Sequence, residues 1–274
     1  MQKNHKKQKA AVLIFAKVPE VGSVKTRLSK SSSLTDLDAK KIAEAMLKDT
    51  ICLADKSDAD RVDIGYFPDT EEARVQMEDL VDNVVDLKSP SINFFPQKGD
   101  NFDERFGSVV KRSYDMGADG LVVLGADLPH LNPLLINRAF KFLVEGDNEK
   151  RLVLGPAGGG GIYLVGLKKD FDPEWFSEYK LFTGGIEILQ FTRFCDERGN
   201  HLLLLPPLSD IDIEEDLVSL VTYIEAMKSA ERYESYNFPV YTAEVIDELG
   251  IVIEEETGEN RKRRIGKGKR GVLN

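Results

Sequence analysis

Between residues 11 and 228 the chain alternates short apolar or β-branched runs with longer segments of helical period, and few architectures accept that order. Strand-like runs fall at 11–16, 61–67, 92–95, 120–125, 152–155, 162–165 and 201–205. Helical patterns begin near Thr35, Glu71, Phe102, Asn132, Ile186 and Ile213. Strands separated by helix-length segments pair side by side in parallel, with the helices covering both faces. The expectation is an α/β fold, a mainly parallel (mixed) sheet sandwiched by helices, forming a single domain over residues 11–228. Residues 1–10 read as a basic N-terminal tail. Residues 229–274 have weaker periodicity and read as a C-terminal appendage, with strand-like pieces at 240–242 and 251–253.

Local signals sharpen several boundaries. Thr35 with Asp38 has the spacing of a capping box, and Asn132 before Pro133 reads as an N-cap followed by proline at the first helical position. Asp212 with Glu215 has similar spacing, so Asp212 has a capping reading beside any chemical one, and Asp216 could serve helix-start electrostatics.

Charge is segregated. The formal net charge is −10, yet the first ten residues carry four lysines and residues 260–274 carry seven lysines or arginines without an acid. The body between them is correspondingly more acidic, which disfavours nucleic acid as a partner except through the basic C-terminal tail. That tail reads as a solvated segment, with RNA, an anionic surface or the acidic body itself as possible contacts. No stretch reaches the roughly 18 apolar residues of a membrane span, and the run at 11–16 is short for a signal peptide, so a cytoplasmic protein is expected. Cys52 and Cys195 lack metal-ligand spacing and read as buried thiols.

Chemistry concentrates where strands end. In an open α/β sheet, side chains just past the carboxyl ends of strands line the ligand crevice. The loop after the first strand supplies Lys17, Gly22, Lys25, Thr26 and Arg27, cations and a flexible turn suited to phosphate oxygens. It is neither a P-loop nor a dinucleotide fingerprint, because neither glycine spacing occurs there. Asp127 follows the fourth strand and Asp212 the last. Two hard carboxylates with phosphate and water suit Mg²⁺ (or Mn²⁺), and zinc is disfavoured. Gly159, Gly160 and Gly161, in a run of four glycines between two strands, let a backbone pass close to a ligand. A plain flexible turn is the alternative. His130 beside Asp127 could reach phosphate, whereas His201 reads as structural. Trp175, Tyr179 and Phe182 form either a lid or part of the core.

Four ordered motifs then add a resemblance. They are Phe15-Ala-Lys-Val-Pro-Glu-Val-Gly-Ser-Val-Lys-Thr-Arg-Leu28, Gly125-Ala-Asp-Leu-Pro-His-Leu131, Gly155-Pro-Ala-Gly-Gly-Gly-Gly-Ile-Tyr-Leu-Val-Gly166 and Ser209-Asp-Ile-Asp-Ile-Glu-Glu-Asp-Leu217. Over about residues 11–228 the chain resembles a bacterial and archaeal family of glycosyltransferase-A, or nucleotide-diphospho-sugar transferase, fold. It is more distantly similar to 2-phospholactate guanylyltransferases and molybdenum-cofactor nucleotidyltransferases. The resemblance implies that Lys25 and Arg27 belong to the nucleotide-phosphate loop, Asp127 to a metal-binding acid motif and Asp212 to a second metal-facing acid. It also implies that the stretch from Gln97 to Arg105 lines the same cleft. Where that family reads Glu-Asp-Gly-Gly-Tyr, this chain has Gly158 to Ile162, losing an acid near the acceptor side.

The functional expectation is a metal-dependent transferase using an NTP or a nucleotide-sugar, with nucleotidyl transfer to a small phosphorylated or hydroxyl acceptor as the leading form. In it, Asp127 and Asp212 hold the metal while Lys25 and Arg27 stabilise developing charge. The rivals are glycosyl transfer from a nucleotide-sugar and a non-catalytic nucleotide sensor or scaffold, the latter motivated by the acid missing at Gly159. The nucleotide base, the acceptor and the oligomeric state are not legible in the sequence.

Overall fold

The computed structural model describes residues 9–88, 92–145, 149–234, 236–255 and 263–268. Strands β1 (Ala10–Lys17), β2 (Arg61–Phe67), β3 (Ile92–Pro96), β4 (Gly120–Gly125), β5 (Arg151–Pro156), β6 (Ile162–Lys168) and β7 (His201–Leu204) form one sheet in the order β3-β2-β1-β4-β6-β5-β7. Every pair is parallel except those made by β6, which runs antiparallel to β4 and β5. The mainly parallel, mixed α/β sheet expected from the sequence is therefore present.

Helices α1 (Thr26–Ser31), α2 (Asp36–Asp55), α3 (Glu71–Asp82), α4 (Phe102–Asp115), α5 (Pro133–Val144), α6 (Trp175–Glu178), α7 (Glu187–Arg198), α8 (Glu214–Ser229) and α9 (Val240–Glu248) complete the chain with a hairpin, β8 (Ile251–Glu255) and β9 (Arg263–Lys267). Alternate residues of β1 face opposite ways. Val12, Ile14 and Ala16 join one core with α2, α3 and α5, while Ala11 and Leu13 join the other with α4, α6 and α7. Trp175, Tyr179 and Phe182 are half-buried and pack against this second core among Phe106, Phe171, Phe191 and Phe194.

The expected caps form. Thr35 Oγ1 accepts the Asp38 amide at 3.2 Å and the Asp38 carboxylate accepts the Thr35 amide at 2.8 Å, while Asn132 Oδ1 accepts from Leu134 at 2.9 Å ahead of Pro133. At α8 the expectation needs correction. The Asp216 carboxylate, not that of Glu215, accepts the amides of Asp212 and Ile213, both at 3.0 Å, and the Asp212 side chain takes no part in capping.

The C-terminal residues differ more. Residues 240–242 open helix α9 and are not a strand. Proline at 239 pre-sets the entry, and Thr242, Ala243 and Ile246 are buried at helical spacing. Ile246, Ile251 and Ile265 then share a third apolar cluster with Leu28, Leu34, Ile42 and Met46 of α1, α2 and the turn between them, and with the buried face of α8. Of the basic tail, Arg263 and Arg264 pair with Glu255 and Glu254 across the β8–β9 hairpin at 3.4 and 3.1 Å, while Lys267 pairs with Asp38 of α2 at 2.6 Å and the Ile265 amide donates to Glu214 of α8 at 2.7 Å, so the hairpin is docked on the acidic body. Residues 256–262 and 269–274 lie outside the described residues, as does the N-terminal tail through residue 8. No helix among the described residues is long and apolar enough to cross a membrane.

Sheet order fixes where a ligand would sit. The chain moves outward from β1 to β2 and β3, then returns to place β4 on the other side of β1. Loops leaving β1 and β4 diverge at that reversal and open a crevice beyond their carboxyl ends. Gln97 closes the floor next door, donating to the carbonyls of Ala16 and Gly65 at 2.9 Å each and tying the ends of β1 and β2 together.

Candidate active site

The loop leaving β1 brings three cations to the crevice. Lys17, the last residue of the strand, is exposed and donates to the Ser23 carbonyl at 3.0 Å, bracing the turn in which Gly22 takes φ 72°. Lys25 is left-handed, φ 48° and ψ 35°, a conformation that costs a residue with a Cβ about 1–2 kcal/mol. Its side chain is only 7% exposed. The ammonium contacts Asp127 Oδ1 and lies 3.0 Å from Asp212 Oδ1. Thr26 begins α1, and Arg27 places Nη1 3.4 Å from Asp212 Oδ2 with its guanidinium largely in solvent. Burial alone would lower the Lys25 pKa, but the charges and hydrogen bonds of Asp127 and Asp212 outweigh it and hold the pKa above its ordinary value.

Two acids distant in sequence meet here because backbone ties their loops together. Asp127 follows β4 by two residues, and its carbonyl accepts the Ile211 amide at 3.0 Å. Residues 209–213 form neither helix nor strand, and Ile211, 2% exposed, is buried while Asp210 and Asp212 on either side of it are half-buried and lie near each other and Asp127. Asp210 was not singled out from sequence, although its two-residue offset from Asp212 was the available signal. Burial, then the charges of Asp212 and Asp127, push its carboxyl upward. Lys25, Arg27, Asp127 and Asp212 thus converge, and a cleft of about 250 Å³ is lined by Phe15, Lys17, Ser23, Lys25, Asp127 and Asp212 among others.

The glycine run borders this group. Gly158–Gly160 makes a single tight turn closed by the Gly161 amide on the Gly158 carbonyl at 3.1 Å, and a side chain begun at Gly158 would reach 3.7 Å from Asp210 Oδ1. Gly160, φ 88°, packs so closely on Ile186 that no Cβ fits, whereas Gly159, φ 64°, faces open space. Arg105 stands one strand further along the same sheet edge. Its guanidinium lies over the Phe67 ring, 5.0 Å from the centroid, and it is not among the residues lining the cleft.

His130 does not serve the site as expected. It is 2% exposed, packs against the mutually stacked rings of Tyr236 and Tyr223 at 5.4 and 6.0 Å, and its Nδ1 has no partner among the described residues. Burial lowers its pKa to about 4, so the ring is neutral at pH 7 and unavailable to phosphate. The thiols agree with the sequence reading in part, since Cys195 is buried and Cys52 half-buried, and desolvation raises them to about 12 and about 11.

Among the described residues no group of three His, Cys, Asp or Glu side chains converges as a metal cage. The Asp127 and Asp212 carboxylates nevertheless point at one cation, the Lys25 ammonium, and remain 46% and 37% exposed. Hard oxygens facing a shared positive centre suit an ion that keeps water and phosphate among its ligands.

A family model described as "Uncharacterized protein conserved in bacteria (DUF2064)" matches residues 54–182, which include Asp127 but neither Lys25 nor Asp212. No curated protein matches the chain. Among solved structures, one from Desulfovibrio desulfuricans G20, described provisionally as a nucleotide-diphospho-sugar transferase, is 25% identical with a TM-score of 0.71, over 88% of this chain and 95% of that one. A cytidylyltransferase from Leptospira borgpetersenii is 15% identical with a TM-score of 0.50, over 88% and 94% of the two chains. The 4-diphosphocytidyl-2C-methyl-D-erythritol synthase of Anaerococcus prevotii is 9% identical with a TM-score of 0.53, over 80% and 96%.

Proposed function

We propose that this chain, a protein of the nucleotide-diphospho-sugar transferase fold, is a metal-dependent transferase that moves a nucleotidyl group from an NTP to a small phosphorylated or hydroxyl acceptor. One observation carries the reading: the Lys25 ammonium, the Arg27 guanidinium and the carboxylates of Asp127 and Asp212 converge beyond the β1–β4 switch point. Asp127 and Asp212 would hold Mg²⁺ or Mn²⁺. When bound, such an ion neutralises phosphate charge and polarises the reacting phosphoryl group.

The remaining work falls to the chain itself. Lys17, Lys25 and Arg27 offer charge-assisted contacts to triphosphate oxygens, so negative charge building on departing pyrophosphate meets cations supplied by this loop. Phe15 lines the cleft beside them and keeps part of its wall apolar. The glycine turn at 158–160 leaves the space beside Asp210 open for an acceptor, whose oxygen would attack the α-phosphorus. Positioning and electrostatics, not a covalent protein intermediate, account for the rate in such a site.

A second reading keeps the same cleft but takes a nucleotide-sugar, favoured by the likeness to the Desulfovibrio structure. Product identity separates the two. With Mg²⁺, each NTP or nucleotide-sugar and a pool of small metabolites, the expected outcome is pyrophosphate released in step with a new nucleotide conjugate. Free nucleoside diphosphate together with sugar transfer would replace the first reading by the second, and tight nucleotide binding with no turnover would leave a sensor. Asp127→Asn is expected to lower turnover on the order of a hundredfold or more while leaving the melting temperature within a few degrees. Unchanged turnover would remove Asp127 from its role.

A further inference from the structure

Lys25 stands where the proposed function needs a metal. Its ammonium contacts Asp127 Oδ1 and lies 3.0 Å from Asp212 Oδ1, while Arg27 sits 3.4 Å from the second oxygen of Asp212. The lysine approaches from the protein side, 7% exposed, and the carboxylates it bridges are 46% and 37% exposed toward solvent. The acid pair is thus accessible from outside and already neutralised from within.

A magnesium-sized ion ligated by the same two carboxylates would sit about 2.1 Å from their oxygens. That places a divalent centre within a few ångströms of the ammonium, where like charges repel strongly in a partly desolvated cleft. Binding of the ammonium to these oxygens therefore opposes binding of a divalent ion to them. Backbone freedom offers little relief, since Lys25 is held in a left-handed conformation at the entry to α1. Its four-carbon stem, however, has rotatable bonds enough to carry the ammonium away.

We propose that the Lys25 ammonium is a built-in counter-ion of the Asp127–Asp212 pair, and that it must swing out before a divalent cation can bridge them. The inference rests on the metal-dependent reading above. Lys25 therefore has two stations, the acids in the free protein and the nucleotide phosphates in the loaded one. Metal arriving alone strands a buried ammonium without a partner, whereas metal arriving with phosphate gives it one. Free protein accordingly takes up divalent metal weakly.

The test uses Mn²⁺ alone, with the free ion counted by its electron paramagnetic resonance signal, on full-length wild type, Lys25→Met and Lys25→Met/Asp127→Asn. Methionine keeps the unbranched stem and removes the charge. Lys25→Met is expected to bind one Mn²⁺ at least about tenfold more tightly than wild type, the scale on which losing a competing charge acts. Adding Asp127→Asn should abolish that gain. Equal or weaker binding by Lys25→Met overturns the proposal.

A wild-type measurement covers the case in which Lys25→Met does not fold. At Mn²⁺ concentrations that saturate the wild type, acylation of Lys25 read by mass spectrometry should accelerate at least about tenfold as the ammonium is released from its carboxylates. An unchanged rate at saturation overturns the proposal. If no form binds Mn²⁺, the metal reading and this inference fall together. A gain in Mn²⁺ affinity without any nucleotide turnover supports the counter-ion role and removes only the activity.

Discussion

His130 is held neutral with a pKa of about 4, against about 6.5 for a free imidazole, because its pocket of tyrosine rings offers its Nδ1 no partner. As pH falls from 6.5 towards 4 the unfolded chain takes up this proton before the folded one, so His130 costs stability progressively through that window, up to about 3 kcal/mol. Asp49 acts the other way over an overlapping range. Burial raises its carboxyl to about 6, so the folded chain keeps a proton that the unfolded chain loses, and its contribution falls as pH rises towards 6. His130→Phe keeps an aromatic ring in place without the titration. Its melting temperature relative to wild type should climb between pH 7 and pH 4.5, and a constant difference would contradict the assignment. Nothing near residue 130 in the sequence announces this, since Tyr223 and Tyr236 arrive from some hundred positions away. Lys25 and Asp127 were legible because each lies just past a strand whose apolar run is plain. Asp210 was harder to see, since only the folded course of residues 209–213, which has no regular period, brings it near Asp212 and Asp127.

Helix α9 has no side chain of its own to satisfy its first amides. Asp49, in the middle of α2, does this instead. Its carboxylate accepts from the amides of Tyr241 and Thr242 at 3.0 and 2.8 Å and from Thr242 Oγ1 at 2.7 Å. A cap supplied by another helix fastens the two elements as it completes one of them. Asp49→Ala should leave these donors unsatisfied and lower stability by about 1–3 kcal/mol. The amides of Tyr241 and Thr242 should then exchange hydrogen at least about tenfold faster, and unaltered exchange at both would show that the docking lies elsewhere. The same device explains the misread stretch at 240–242. Its β-branched residues suit a strand by propensity, but Pro239 and a foreign carboxylate impose a helix entry that local sequence only half reveals. Caps at Thr35 and Asn132 were readable because donor and acceptor lie within three residues of each other.

At the scale of the molecule, the C-terminal residues share a core with the first helices. Leu28, Leu34, Ile42 and Met46 bury themselves partly against Ala243, Ile246, Ile251 and Ile265. Ending the chain at Ser229 uncovers that face and should give a protein that aggregates or melts without a cooperative transition. A soluble, cooperatively melting fragment would show the appendage to be dispensable. Composition pointed to a tail, and the folded part of it, Arg263 to Lys267, is instead drawn onto Glu254, Glu255 and Asp38. The two arginine pairs are made within the β8–β9 hairpin, whereas Lys267 reaches Asp38 from 229 residues away, and pairing at that distance leaves no local period to read. The bond from the Ile211 amide to the Asp127 carbonyl is also long-range, and it is made by main chain alone. The approach of positions 127 and 212 therefore does not rest on their side chains alone. A carboxamide, a thiol or an imidazole at either place would be presented to its opposite number across the same gap. The pair forms a mounting on which the ion preference of the pocket could be exchanged without rebuilding the walls.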